Sequence, residues 1–148
     1  MESIPTLVVL LRILLTTVLC ALIGLERQYR HKPAGLRTNI LVGIGTTVMT
    51  IVSIEIARLA PDPSSVDISR IMSTILTGIG FIGAGTIIRE HGSVQGLTTA
   101  ASIWVVVAIG MATGMGLYAV AGITAVITPI VLVILEHLKI EEEKFPPR

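Results

Sequence analysis

The 148-residue chain is 52% hydrophobic and 14% charged, with a mean hydropathy of +0.85, which excludes an ordinary soluble domain. A net charge of +1 offers no field for nucleic acid, and 3% aromatics leave few rings to stack on bases. The single Cys20 excludes an internal disulfide and a cysteine-built metal site.

Met1-Glu2-Ser3-Ile4-Pro5 lacks the basic stretch of a cleaved signal peptide, so the first apolar segment is expected to be retained. That segment, Thr6 to Leu25, is 20 residues long with one charge, Arg12. Thr38 to Ala60 is 23 residues, with Glu55 and Arg58 near its end, and Ile71 to Ile88 is 18 residues without a charge. From Gly92 to Leu135 run 44 residues with no charged side chain. One helix of that length would reach about 66 Å, twice a hydrocarbon core of about 30 Å. It must fold back, and Gly110, Gly114 and Gly116 mark the turn between spans near Thr98–Thr113 and Leu117–Leu135. Pro129 is a kink that a membrane helix tolerates. The expected fold is an all-α polytopic membrane bundle of about five transmembrane helices over residues 1–135, with a charged tail at 136–148.

The connections carry the charge. With the first loop in the cytoplasm, Arg27, Arg30, Lys32, Arg37, Arg89, Lys139, Lys144 and Arg148 share that side, and Arg70 alone lies opposite. This bias predicts an N-terminus outside and a C-terminus inside. Arg12, Glu55, Arg58, Asp67 and Arg70 then fall toward the outer leaflet. Charges at membrane depth face the bundle interior and are functional candidates. The set reads either as ion pairs that fix helix register or as a cation or proton site on Glu55 and Asp67, although two carboxylates among three arginines make a poor cation cage. Arg58 can also snorkel outward, and Asp67 can cap the third helix. A second polar group, Glu26, Arg27, Arg37, Thr38 and Asn39 with Arg89 and Glu90, reads as a positive belt against anionic lipid or as a docking surface. His31, His91 and His137 show no metal-ligand spacing. Thr98, Thr99 and Ser102 can cap the fourth helix or bond across helices, with no base nearby to activate a hydroxyl.

Gly78-Ile-Gly-Phe-Ile-Gly-Ala-Gly85 imitates a dinucleotide fingerprint. It lacks the preceding strand, the βαβ unit and the acidic residue about 20 positions on, where Ile103 stands. The glycines Gly78, Gly80, Gly83 and Gly85 instead predict a bare helix face on which a neighbour packs, either Gly110 and Gly114 of the fourth span or a second subunit.

Four motifs in order, Gly24-Leu-Glu-Arg27, Ala34-Gly-Leu-Arg-Thr38, the glycine stretch up to Ile88, and Gly96-Leu-Thr-Thr-Ala-Ala-Ser-Ile-Trp104, resemble the MgtC/SapB family of bacterial inner-membrane proteins. The resemblance covers roughly Thr6 to Tyr118. It implies a hydrophobic domain of four or five helices, a link to growth in low magnesium and survival in macrophages, and restraint of the F-type ATP synthase as a partner. Direct magnesium transport is also proposed for the family. Carried over by motif, the residues are Glu26, Arg27, Arg37, Thr38, Asp67, Arg70, Thr98 and Thr99. Only Glu136 to Arg148 follow the last span, so the chain resembles the short SapB-like form that lacks a soluble C-terminal domain. The expectation is a multi-pass inner-membrane protein in contact with the lipid bilayer, homo-oligomeric and non-enzymatic, without cofactor, metal or nucleic acid. It is a regulator or interaction protein linked to magnesium limitation or membrane energetics. The alternative is a small oligomeric Mg2+ transporter or channel.

Overall fold

A computed structural model describes residues 3–62, 65–90 and 93–137. Five helices form, α1 (Thr6–Tyr29), α2 (Leu36–Leu59), α3 (Ile68–Gly85), α4 (Leu97–Met115) and α5 (Tyr118–His137). All five are long and apolar enough to cross a bilayer. The sequence pattern placed these elements with small shifts. The α1 helix runs on to Tyr29 rather than stopping at Leu25, and α3 both starts and ends three residues before Ile71 and Ile88.

The apolar residues Ile87 and Ile88 do not extend α3. A short antiparallel hairpin, β1 (Ile88–Glu90) with β2 (Ser93–Gln95), links α3 to α4. Gly96 closes it at φ +88°, where a Cβ would run into the Thr86 carbonyl, so only glycine serves there. The reversal between α4 and α5 is made at Gly116, φ +85°, alone; Gly110 and Gly114 lie within α4. The 11 residues from 138 to the end of the expected tail lie outside the described residues.

The core is α1, α2 and α4 packed on one another, with α5 against α4 and α1, and α3 leaning on α4 and α2. Its apolar part is Cys20, Ile23, Val106, Ile109, Ala121 and Ala125, with a second group of Ile79, Ile103 and Val107. Close approach is set by glycine. A Cβ on Gly110 would lie 2.7 Å from the Gly43 carbonyl oxygen, and one on Gly114 would lie 2.7 Å from Thr50 Cβ. Gly43 itself sits against Cys20 and Thr16 of α1. Such contacts replace a hydrophobic driving force that helices lack inside a bilayer.

The glycine face of α3 is therefore not the seat on which the bundle is built. Among the described residues nothing lies within 4 Å of a Cβ added at Gly78, Gly80 or Gly85, and one at Gly83 meets only Ala100 Cβ at 3.7 Å. Gly110 and Gly114 face α2, not α3. The reason is the placement of the large apolar side chains. Ile75, Leu76 and Ile79 turn α3's other face onto α4 and α2, leaving Gly78, Gly80 and Gly85 outward, while Gly83 is buried on the inward side.

Candidate functional site

The densest polar arrangement lies at the corner between α1 and α2. The chain leaves α1 at Arg30 and turns through His31 and Ala34, both with positive φ (53° and 56°). That left-handed conformation costs a non-glycine residue about 1–2 kcal/mol, so something must hold it. Asn39, fully buried on the first turn of α2, donates Nδ2–H bonds to the Ala34 carbonyl and, at 2.9 Å, to the Gly35 carbonyl. The Lys32 amide donates to the Arg27 carbonyl at 2.9 Å, and the Leu36 amide to Gln28 Oε1 at 3.3 Å. Gly24 lets the loop close: a Cβ there would come within 2.8 Å of Leu36 Cα. Asn39 Oδ1, also buried, accepts no hydrogen bond among the described residues, an acceptor poised for a donor.

Beside the loop, Glu26 is taken bidentately by Arg27, through Nε and, at 2.9 Å, through Nη2, and by Arg30 Nε at 3.0 Å. Arg27 is 2% exposed. Two guanidinium groups share the one carboxylate, Arg27 buried and Arg30 half-buried, so these three side chains sum to a positive charge. The set suits an anionic or carbonyl-bearing partner and repels a bare cation. Over the corner lies an open hollow of about 590 Å³ lined by Leu25, Gln28, Tyr29 and His31, and Tyr29 is 87% exposed. Arg37 is exposed and Thr38 half-buried on the same turn of α2. Arg89 is exposed on β1, whereas the Glu90 and His137 side chains and His91 lie outside the described residues.

At the opposite end the five expected charges do not form one cluster. Arg12 reaches across to the C-terminus of α4, donating to the Gly114 carbonyl at 2.6 Å and to Tyr118 Oη at 3.2 Å. Glu55 accepts from the Ile4 amide at 3.0 Å and pairs with Arg58 at 3.7 Å. Asp67 is the exposed N-cap of α3, accepting from the Ser69 amide at 2.9 Å. The bond from the Ser69 hydroxyl, with the Ser69 and Arg70 amides and the Arg70 charge, holds its carboxyl below the usual range. Sequence position put these groups at one level; the helix each belongs to separates their partners.

Between the two ends runs a hydroxyl ladder that hydropathy does not register. Thr16 Oγ1 and Thr47 Oγ1 share a hydrogen bond at 2.7 Å, and Thr47 Oγ1 donates to the Gly110 carbonyl at 3.0 Å, tying α1, α2 and α4 together. Thr46, Thr50 and Ser53, on the same side of α2, bond back to the carbonyls of Val42, Thr46 and Met49. The signal was the Gly43-x-x-Thr46-Thr47-x-x-Thr50-x-x-Ser53 spacing of small residues along one helix face. Thr98 is exposed and Thr99 buried. Neither caps α4, whose N-cap is Gly96 with no side-chain bond. No group of three or more metal-ligating side chains occurs among the described residues.

The MgtC family model matches residues 13–140. Over 133 residues the chain is 43% identical to a protein of Escherichia coli K12 that carries the name "Putative magnesium transporter YhiD", covering 87% of this chain and 61% of that one. It is 42% identical over 113 residues to Protein SapB of Bacillus subtilis strain 168, covering 74% and 49%. It is likewise 42% identical over 109 residues to Protein MgtC of Brucella abortus strain 2308, covering 74% and 43%. The chain thus spans about half the length of the curated relatives it matches. No solved structure matches it.

Proposed function

Because the chain belongs to the MgtC family of membrane proteins, we propose that it is a non-enzymatic regulator in the bacterial inner membrane. It acts under magnesium limitation by docking a partner at the α1–α2 corner. One observation carries this reading. A strained loop, His31 to Gly35, is locked by fully buried Asn39 against a net-positive Glu26–Arg27–Arg30 set in which Arg27 is buried. Strain held in place by its surroundings concentrates where a surface has to be presented in one shape. The excess of Lys and Arg at this end supports a cytoplasmic position for it. The partner group it fits is a carboxylate, phosphate or backbone carbonyl. The membrane-depth carboxylate Glu55 is engaged by Arg58 and the Ile4 amide, and the buried hydroxyls of α2 are bonded into the bundle, which favours a docking protein over a cation path through one chain.

A second reading is a small oligomeric magnesium transporter, favoured by the name carried by the Escherichia coli relative. Purified protein in liposomes loaded with a magnesium-sensitive dye separates the two. The regulator reading expects influx equal to that of empty liposomes, together with reproducible capture of one membrane protein by a photo-cross-linker at Tyr29. Influx abolished by Glu55→Gln or Asp67→Asn would establish transport and sink the regulator reading.

A further inference from the structure

At the end of α1 a row of aliphatic side chains runs into a polar hollow. Leu14, Val18, Leu22, Leu25 and Tyr29 are all exposed, and their steps of four, four, three and four keep them on one face of the helix. The first four give the surface that a span presents to acyl chains. The 24 residues of α1 reach about 36 Å, past a hydrocarbon core of about 30 Å, which leaves the ends of the helix at headgroup level. Tyrosine, an apolar ring with a polar tip, is a residue that settles there. The hollow at that level is lined by Leu25, Gln28, Tyr29 and His31. Its polar lining offers donors and no carboxylate. Gln28 uses Oε1 to accept from the Leu36 amide, so its NH2 group remains to donate; Tyr29 brings a hydroxyl and His31 a ring N–H. None of these three side-chain donors has a partner among the described residues. The nearby carboxylate of Glu26 is already held by Arg27 and Arg30, and Lys32 and Arg37 are exposed on the loop and on the first turn of α2.

We propose that the hollow holds the headgroup of one anionic phospholipid, with its phosphate on the Gln28, Tyr29 and His31 donors and one acyl chain laid along Leu25, Leu22 and Val18. The occupant follows from the two halves of the site. A soluble anion would use the donors and leave the adjoining aliphatic row without a role. A lipid uses both, and the bilayer supplies it at this depth. Charge decides the headgroup. The Glu26–Arg27–Arg30 set sums to a positive charge, and choline or ethanolamine would bring an ammonium for which the hollow has no carboxylate. A net-negative headgroup, such as that of phosphatidylglycerol, meets donors and basic side chains only. The site shares the α1–α2 corner with the docking of a protein partner but does not rest on it.

Native mass spectrometry of the purified full chain, given equal amounts of phosphatidylglycerol and phosphatidylcholine in detergent, tests this. One phosphatidylglycerol should be retained in preference. Tyr29→Phe keeps the exposed ring and His31→Gly keeps the positive φ. Each should lower that retention about tenfold, as the loss of one hydrogen bond to a charged group does. Arg89→Gln, which removes an exposed charge outside the hollow, should leave it unchanged. Excess inorganic phosphate or glycerol phosphate, which lack acyl chains, should not displace the lipid. Equal retention of the two lipids, retention indifferent to Tyr29→Phe and His31→Gly, an equal loss at Arg89→Gln, or displacement by either soluble phosphate overturns the proposal. Equal retention with a protein still captured at Tyr29 would sink the lipid site alone, and selective retention with no protein captured would sink the regulator reading alone.

Discussion

Substituting alanine for Gly110 should destabilise the bundle, although the same change at Gly45 or Gly122 should not. Glycine to alanine in a helix interior gains up to about 1 kcal/mol from backbone and propensity effects. At Gly110 the added methyl would sit 2.7 Å from the Gly43 carbonyl oxygen and 2.8 Å from Thr46 Cβ. The first of these is backbone, so no rotamer change relieves it, and α2 and α4 must separate. Overpacking of this kind costs about 1–3 kcal/mol. Separation also stretches the 3.0 Å bond from Thr47 to the Gly110 carbonyl, worth about 0.6 kcal/mol on the scale measured between membrane helices. With the full propensity gain subtracted, the sum is a net loss of about 0.6–2.6 kcal/mol. Gly45 and Gly122 have nothing within 4 Å of an added Cβ, so alanine there should be neutral or stabilising by up to about 1 kcal/mol. Reversible unfolding in mixed micelles, followed by the single Trp104, measures all three variants. Gly110→Ala equal to or more stable than Gly45→Ala would refute the close-approach reasoning.

Glu26→Gln should cost about 3 kcal/mol or more, because it strips the carboxylate from Arg27 while leaving that guanidinium buried; unfolding in the same micelles reads it, and Glu26→Gln with Arg27→Met should recover most of the loss. Thr47→Val should lower stability by about 0.6–1.7 kcal/mol, since it removes both links of the Thr16–Thr47–Gly110 chain, and a matched Thr128→Val should not. The Asp67 carboxyl titrates below its usual range in the fold, so its capping contribution is complete above the unfolded value and is lost as pH falls through the lower, folded value. Acid should therefore loosen the start of α3, and Asp67→Asn, which still caps, should remove that pH dependence in a stability titration below about pH 4.

The spans were readable because the bilayer fixes how long an apolar run must be, and the charged connections punctuate them. What the runs cannot show is which face of each helix meets which neighbour. Gly78 to Gly85 and Gly43 to Ser53 are both runs of small residues within a membrane helix, the first with glycines two, three and two residues apart, the second at three- and four-residue steps along one face. The first looked like the organising face because four glycines stand out, yet Ile75, Leu76 and Ile79 turn Gly78, Gly80 and Gly85 outward, and Gly83 alone is buried. The second was obscured by threonine, which hydropathy counts as weakly polar rather than as a packing residue. At the α1–α2 corner, Glu26, Arg27 and Asn39 stood out as polar residues at a helix end. Pro33-Ala-Gly35 reads as a turn, but the left-handed conformation of Ala34 did not stand out, since an alanine gives no sign of a positive φ and is held there by a bond from Asn39, five residues on.

Arg12 brings these two kinds of information into open conflict. By transfer energy alone an arginine in a membrane helix is a cost, about 2.5–3.5 kcal/mol at the centre of a span, so leucine there should help. The structure argues the reverse. At the C-terminus of α4 the Thr113 and Ala112 carbonyls accept from the Gly116 and Leu117 amides, the Gly114 carbonyl takes its bond from Arg12, and α4 turns sharply at Gly116. Arg12 comes from a residue 102 positions earlier to donate to the Gly114 carbonyl at 2.6 Å and to Tyr118 at 3.2 Å, and a cation at that end also meets the negative pole of the helix. Hydrogen bonds from a charged group are worth about 1.5–3 kcal/mol net. Arg12→Leu should therefore destabilise the fold and loosen the α4–α5 turn, with Arg12→Lys intermediate because it keeps the charge but not the fork. Unfolding of the inserted protein, which separates folding from insertion, decides the sign. A leucine variant as stable as the parent would mean that the arginine serves only the interface and that the turn is satisfied without it.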